Sequence, residues 1–287
     1  MWGIAPIYFK ALAAVPPVEI LMHRVVWSML VLVVLIVSLR HVKKVKAALA
    51  DRRVLLTLMA ASALLACNWF LFIWAVNNDF MLEASLGYYI NPLLNVFLGR
   101  LFLGETLRMT QKVAVGIAIL GVAIMIFNFG YLPWIALTLA VSFSIYGLLR
   151  KTVSVDSLPG LFVETSFILP AAIIYWVFFA TQTSDMASNP ASLNMLLLMA
   201  GVVSTAPLLC FTAAARRIRY STLGFFQYIG PSLMFILAVT VYDEALSKGQ
   251  LVTFCFVWTA LALFTFDTFK HYRKEKKEKK LASLRPE

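Results

Sequence analysis

Residues 84–92 have the sequence ASLGYYINP, and residues 221–231 have the sequence STLGFFQYIGP. Both stretches place a hydroxyl residue, a leucine, a glycine and two aromatic residues in the same order. A glutamate follows the last proline of each stretch by the same 13 positions, at Glu105 and at Glu244. Chance recurrence in a biased composition is the alternative, but the matched proline and glutamate favour an internal repeat.

Both stretches lie inside long apolar runs. Of the 287 residues, 61% are hydrophobic and 14% are charged, and the mean hydropathy is +0.85. A soluble domain carries about 25% charged residues, so the composition excludes soluble, disordered and disulfide-scaffold proteins. A membrane-spanning helix needs about 20 apolar residues, whereas a barrel strand needs about 10 with strict alternation. Nine runs fit the helix, at 18–39, 54–76, 82–103, 113–129, 132–149, 161–180, 193–215, 221–242 and 251–269.

A tenth run, 2–14, is shorter and ends at Pro16. At 1.5 Å per residue it covers about 20 Å of a hydrocarbon core that is roughly 30 Å thick. We expect it to be part of a first helix that is truncated at its N-terminus. A half-helix that does not cross the membrane is the alternative.

The basic residues predict the orientation. Of the 25 lysines and arginines, 22 fall after every second predicted helix or in the tail 270–287. Cytoplasmic loops carry such an excess of basic residues. Ten crossings with both termini in the cytoplasm therefore fit the pattern. The net charge of +11 is explained by anionic lipid headgroups beside the basic loops, and nucleic acid is not needed as a partner.

The two repeated stretches are five predicted helices apart, which is an odd number. The copies must then cross the membrane in opposite directions. The predicted fold is an all-α polytopic membrane protein with ten transmembrane helices in two inverted five-helix repeats, 1–129 and 131–269. Inverted halves of this kind occur in many secondary transporters, which bind their substrate near the midplane between them.

Several segments together resemble RarD-type permeases, which belong to the EamA family of the drug/metabolite transporter superfamily. They are Trp2-Gly3-Ile4-Ala5-Pro6, Tyr8-Phe9-Lys10, Glu19, His23-Arg24, Trp27-Ser28, Asn68-Trp69, Trp74-Ala75-Val76-Asn77, the stretch from Glu83 to Asn91-Pro92, and 221–231. The resemblance covers nearly the whole chain. It implies two EamA repeats, a central substrate cavity, the bacterial inner membrane and a family link to chloramphenicol sensitivity. Members of the family usually begin further upstream, which agrees with a truncated first helix.

Polar residues inside a predicted span are the candidates for function, because a charge at the bilayer centre is costly. Arg24 lies about 10 Å along the second helix beyond Pro17. His23 and Trp27 share one face of that helix with Glu19. Arg24 and His23 could hold an anionic or polar substrate group beside an apolar wall formed by Trp27. Alternatively, Arg24 snorkels outward or pairs with Glu19 or another carboxylate.

Other candidates for the substrate cavity lie on four further helices. They are Lys10, Asn68, Trp69, Tyr88, Asn91 and Gln227. Aromatic walls with few polar groups suit a small amphipathic ligand. The alternatives are an interfacial anchor for Lys10, a partner of the proline kink for Asn91, and helix packing or an interfacial belt for the remaining four residues.

Two glutamates are candidates for proton coupling. A desolvated carboxylate such as Glu164 could exchange protons. Glu83 begins a polar stripe along its helix. For both residues the alternative is a carboxylate that stabilises the start of its own helix.

No sequence motif indicates a nucleotide-binding loop, a metal site or a serine nucleophile. We therefore predict no cofactor and no enzymatic activity. The leading hypothesis is a secondary transporter of small organic metabolites or drugs with alternating access, and proton coupling is an option. A structural or assembly protein and, with less support, an intramembrane enzyme are the alternatives. A cavity lined by Arg24, Asn68 and Gln227 would discriminate transport from a closed structural bundle.

Overall fold

The computed structural model describes residues 2–78, 80–241 and 248–282. A short 3-10 turn, Trp2–Ile4, comes first. The α-helices that follow it are α1 Ala5–Ala11, α2 Pro17–Ser38, α3 Val42–Ala50, α4 Arg52–Asn77, α5 Met81–Leu103, α6 Met109–Phe129, α7 Trp134–Thr152, α8 Ser157–Phe179, α9 Ala191–Arg217, α10 Tyr220–Gln227, α11 Ile229–Thr240 and α12 Lys248–Ala282. No strand occurs among the described residues.

Seven of these helices are long and apolar enough to cross a membrane by length and composition: α2, α4, α6, α7, α8, α9 and α12. Backbone polar groups in lipid must be satisfied within the segment, and a helix does this. The prediction of an all-helical protein is thus confirmed for the described residues, which contain seven candidate membrane spans. Glu244 of the second repeated stretch lies in 242–247, outside the described residues.

The run predicted at 221–242 is two consecutive helices, α10 and α11, that meet at Tyr228. Pro231 has no N–H with which to bond the carbonyl of Gln227, and proline also disfavours helical geometry at the preceding Gly230. The main-chain N–H of Tyr228 bonds to Phe225, a tighter turn than that of an α-helix. The proline therefore accounts for the break.

Helix α3 forms in the basic link between the first two long helices, where sequence reasoning predicted only a loop. It follows Arg40, whose φ of 56° turns the chain. Val45 and Ala48 face inward, while Lys43, Lys44 and Lys46 are exposed. This amphipathic pattern is typical of a helix at a membrane surface.

Each long helix packs against specific other helices. Helix α2 lies between α8 and α9, α7 packs on α4 and α5, α5 also packs on α10, and α6 packs on α12. Glycines permit the closest crossings. A Cβ on Gly224 would lie 2.8 Å from the carbonyl oxygen of Pro92, and one on Gly201 would meet the main chain of Trp27. The two repeated stretches thus touch each other where α5 and α10 cross.

Candidate functional site

Arg24 lies two turns into α2, and its guanidinium group contacts a hydroxyl group and aromatic rings. Its Nε donates a hydrogen bond to Ser204 Oγ on α9 at 2.8 Å. The guanidinium carbon lies 4.8 Å from the ring centroid of Trp69 on α4 and 5.6 Å from that of Phe9 on α1. Both distances are within the range of a cation–π contact. Four helices therefore converge on one half-buried cation.

Two tyrosines border this cluster. Tyr8 and Tyr88 lie within electrostatic range of Arg24. The Tyr8 hydroxyl donates to the carbonyl of Leu196 at 2.8 Å. Tyr88 keeps 42% of its surface exposed and packs edge-on against Phe72. We call Arg24, Ser204, Phe9, Trp69, Tyr8 and Tyr88 the Arg24 cluster.

His23 and Trp27 belong to a separate chain of hydrogen bonds. Trp27 Nε1 donates to His23 Nδ1 at 3.1 Å, which assigns the ring proton of a neutral imidazole to Nε2. Nε2 lies 3.3 Å from Ser184 Oγ, and the Ser184 hydroxyl donates to Glu19 at 2.8 Å. The His23 ring also packs edge-on against Trp176.

Glu19 is fully buried, and its carboxylate binds the link between α8 and α9 rather than Arg24. It accepts hydrogen bonds from the main-chain N–H of Thr181 and from the hydroxyl of Thr183 at 2.6 Å, in addition to that of Ser184. The alternative in which Glu19 pairs with Arg24 does not occur in the structure. This network fastens the 181–184 link onto the beginning of α2.

Glu164 on α8 faces Arg150 on α7, and both side chains are completely buried. Arg150 Nε and Glu164 Oε1 are 3.3 Å apart. The hydroxyl of Tyr146 donates to the other carboxylate oxygen at 3.3 Å, and Arg150 Nη2 donates to the carbonyl of Ser157 at 3.1 Å. Sequence reasoning missed Arg150, because it counted that residue only as a basic marker at the end of a helix.

A narrow cavity lies between the Arg24 cluster and this buried ion pair. It is lined by Val25, Ser28, Leu65, Trp69, Leu161, Glu164, Thr165, Ile168, Thr205 and Leu208. It has room for about one water molecule. Thr205 Oγ1 is buried there without a hydrogen-bond partner among the described residues, whereas Glu164 Oε1 faces Arg150 Nε of the ion pair. This cavity has no room for an organic solute, and none of Arg24, Asn68 and Gln227 lines it.

Three predicted cavity residues instead connect helices. Asn68 Nδ2 donates to the carbonyl of Leu139 on α7 at 2.8 Å. Asn91 Oδ1 accepts from the hydroxyl of Ser144 on α7 at 3.2 Å. Gln227 Oε1 accepts from the amide of Asn95, which joins α10 to α5.

Each of these amide hydrogen bonds joins two helices. In the part of the chain that the structure describes, none of Asn68, Asn91 and Gln227 forms a hydrogen bond with Arg24. For Asn68 and Gln227, helix packing is the alternative that the sequence left open. Lys10 is exposed on α1. The structure therefore brings Arg24, Trp69 and Tyr88 together and leaves the other predicted residues outside that cluster.

Glu83 stabilises the start of a helix, but the helix is α7 rather than its own. Its carboxylate accepts from the main-chain N–H of Ile135 at 2.8 Å and from the hydroxyl of Tyr131 at 3.2 Å. A carboxylate at a helix N-terminus is stabilised by the unpaired N–H groups there. The side chain of Glu83 is 1% exposed, so this contact lies inside the bundle.

Ser204 and Ser184 were also missed by sequence reasoning. Ser204 and Thr205 are adjacent hydroxyl residues in an otherwise apolar helix, shortly before Pro207. That combination could have indicated that α9 presents polar side chains to the interior of the bundle. Ser184 lies in a polar link, where the sequence carries no signal that distinguishes it from its neighbours.

A second ion cluster is centred on Asp156, which lies outside the spanning segments. Asp156, just before α8, pairs with Lys44 of α3 at 2.7 Å and with Arg216 at the end of α9 at 2.8 Å. Hydrogen bonds from Lys44 and Arg216 lower the pKa of Asp156 from 3.8 to about 2. This cluster ties three helices together at one end of the bundle.

Comparisons with known proteins agree with this fold. The EamA-like transporter family matches residues 1–127. An uncharacterized transporter of Vibrio cholerae is 57% identical over 94% of this chain and 90% of its own length. Protein RarD of Escherichia coli strain K12 is 52% identical over 96% of this chain and 94% of its own length.

One solved crystal structure has a TM-score of 0.70 with 19% sequence identity. The match covers 92% of this chain and 93% of the other. At this identity the similarity concerns the fold alone.

Proposed function

This chain belongs to the EamA-like transporter family and is a multi-pass membrane transporter, and we propose that it is a secondary transporter of small organic metabolites or drugs. In this proposal the substrate binds between two halves of the bundle, which expose it alternately to the two sides of the membrane. The proposed location is the bacterial inner membrane, with both termini in the cytoplasm. The basic loops then lie beside anionic headgroups.

The pattern of helix contacts supports two related halves, 1–129 and 131–269, that together cross the membrane ten times. We pair α1 with α7, α2 with α8, α4 with α9, α5 with α10–α11, and α6 with α12. If each helix is replaced by its counterpart in the other half, the contact between α2 and α9 corresponds to the contact between α8 and α4. In the same way, the contact between α4 and α7 corresponds to the contact between α9 and α1. The α2–α8, α5–α10 and α6–α12 contacts map onto themselves. A two-fold relation between inverted halves predicts these five contacts, whereas the α5–α7 and α7–α9 contacts have no counterpart of similar extent.

The Arg24 cluster is the observation that carries the proposed site. Arg24, Trp69 and Tyr88 come from the first proposed half, while Ser204 comes from the second. A cluster that joins both halves beside a cavity changes shape when the halves move. His23, Trp27, Lys10, Asn68, Asn91 and Gln227 remain proposed cavity residues for the opened conformation.

Proton coupling remains a proposal for two carboxylates. Glu164 is the better supported, because it is completely buried and lines the narrow cavity. Glu83 is bonded to the start of α7. Proton uptake at Glu164 would weaken its attraction to Arg150 and so loosen α7 from α8.

Transport into liposomes tests the proposed function. Purified full-length protein is reconstituted and offered a panel of labelled anionic, neutral and cationic organic solutes, with and without a pH gradient. Empty liposomes are the control. We expect flux of at least one solute above that control. Flux of no solute under either condition would overturn the transporter mechanism.

Labelling of introduced cysteines tests the topology separately. Ser188→Cys lies in the link between α8 and α9, and Lys46→Cys lies on α3. In intact cells, a membrane-impermeant thiol reagent should react with the first variant only. Equal labelling of both variants before permeabilisation would contradict the proposed orientation.

A further inference from the structure

The charged side chains inside the bundle differ in how they are compensated. Glu19 and Glu83 accept hydrogen bonds from main-chain N–H groups, and Glu164 faces Arg150. Arg24 has no carboxylate within ion-pair distance among the described residues. Its contacts are a serine hydroxyl and aromatic rings, which leave its positive charge unneutralised.

The geometry of the guanidinium leaves one edge available. Nε is used by Ser204, and the aromatic rings of Trp69 and Phe9 lie near the central carbon. No hydrogen bond from Nη1 or Nη2 of Arg24 is found among the described residues. A guanidinium presents its donors as a planar fork that matches the two oxygens of a carboxylate.

The aromatic side chains near Arg24 are partly exposed. Tyr88 keeps 42% of its surface exposed, and Arg24 itself is half-buried. The ring of Trp69 faces Arg24 and also lines the internal cavity. A ligand that reaches Arg24 would therefore place its remaining atoms against aromatic side chains.

We infer that the substrates are amphipathic organic anions, with an anionic group that binds Arg24 and an apolar body that packs on Trp69, Phe9 and Tyr88. This inference rests on the proposed transport function and specifies its substrate class. The charge of a bound anion supplies the counter-charge that no described residue provides. Binding electrostatics then favour an anion over a neutral or cationic molecule of the same shape.

Three probes of matched shape test the charge preference: indole-3-acetate, indole-3-acetamide and tryptamine, which are anionic, neutral and cationic. Each is titrated against the purified full-length protein in phosphatidylcholine nanodiscs, and thermal stabilisation gives the Kd. The same probes are offered to the liposomes used in the transport test. We expect the anion to bind tightest and to be the probe that is transported.

Variants connect the preference to Arg24. Arg24→Gln should weaken binding of indole-3-acetate by about tenfold to a hundredfold, because it removes a charge-assisted bond. Arg24→Lys keeps the charge without the fork and should be intermediate. Arg53→Gln is the matched control, since Arg53 is exposed at the start of α4, and it should bind like the wild type.

The outcomes separate this inference from the transport function. Transport of tryptamine or indole-3-acetamide in preference to the anion leaves a transporter and overturns the anion inference. Equal affinity of Arg24→Gln and wild type for the anion also overturns it. Flux of no solute in the wider panel overturns both proposals. The charge series on wild-type protein keeps the test valid if Arg24→Gln does not fold.

An anionic lipid could supply the same chemistry as a free organic anion. A parallel titration therefore uses nanodiscs that contain phosphatidylglycerol. Loss of indole-3-acetate binding in these nanodiscs, together with stabilisation of wild type but not of Arg24→Gln by the lipid, would identify a lipid site and overturn the substrate assignment. Unchanged binding of indole-3-acetate supports the free anion.

Discussion

Replacing Glu164 by glutamine removes the counter-charge of Arg150 while keeping the shape of the side chain. Both residues are 0% exposed, and the charged atoms are 3.3 Å apart. At an effective dielectric constant of about 20, this distance corresponds to an attraction of about 5 kcal/mol. Breaking a buried ion pair from one side costs about 3–5 kcal/mol, because the remaining charge stays buried. We expect Glu164→Gln to lower the free energy of unfolding by a similar amount.

The assay is chemical unfolding of purified protein in one detergent, followed by circular dichroism. The double variant Arg150→Met with Glu164→Gln should be less destabilised than Glu164→Gln alone, because no unpaired charge remains. Asp185→Asn, an exposed carboxylate changed in the same way, is the control and should change stability by less than about 0.5 kcal/mol. A small effect of Glu164→Gln, or strictly additive effects in the double variant, would refute this account of the pair.

Three further changes probe other contacts. Glu105→Ala removes an acceptor for the main-chain N–H groups at the start of α10 and should cost about 1–2 kcal/mol in unfolding free energy, as for a lost helix cap. Gly224→Val places a side chain against the carbonyl of Pro92, and the same unfolding assay should give a loss of about 1–3 kcal/mol. The lowered pKa of Asp156 means that its contribution is present above pH 3.8 and is lost as the pH falls through about 2. Asp156→Asn should therefore destabilise by less than about 1 kcal/mol at pH 7, and this difference should shrink in 1 M salt when melting temperatures are compared. Unchanged stability of Glu105→Ala or Gly224→Val, or a larger Asp156→Asn effect at high salt, would contradict these assignments.

Sequence patterns predicted most of the helices closely. The run 18–39 corresponds to Pro17–Ser38, and the run 161–180 corresponds to Ser157–Phe179. Such agreement is expected because a span depends on the local density of apolar residues. The break at Tyr228 and the amphipathic α3 were missed. The first depends on a single proline, and the second is too short and too charged for a hydropathy window.

The candidate site was predicted less completely. Arg24, Trp69 and Tyr88 were selected as intramembrane polar or aromatic residues, and they lie in one cluster. Sequence reasoning could not identify Ser204 as the partner of Arg24, because the two residues are 180 positions apart. It also assigned Glu83 to its own helix, whereas the carboxylate bonds to Ile135 of α7.

The sequence by itself determined that this chain forms apolar helices, since the cost of unpaired backbone groups in lipid acts on each segment separately. Tertiary structure alone decided which polar groups meet. Glu19 binds a link more than 160 residues away, and Glu164 finds Arg150 on a neighbouring helix. Such partners depend on how the helices rotate and cross, and that follows from the packing of the whole bundle rather than from any local pattern.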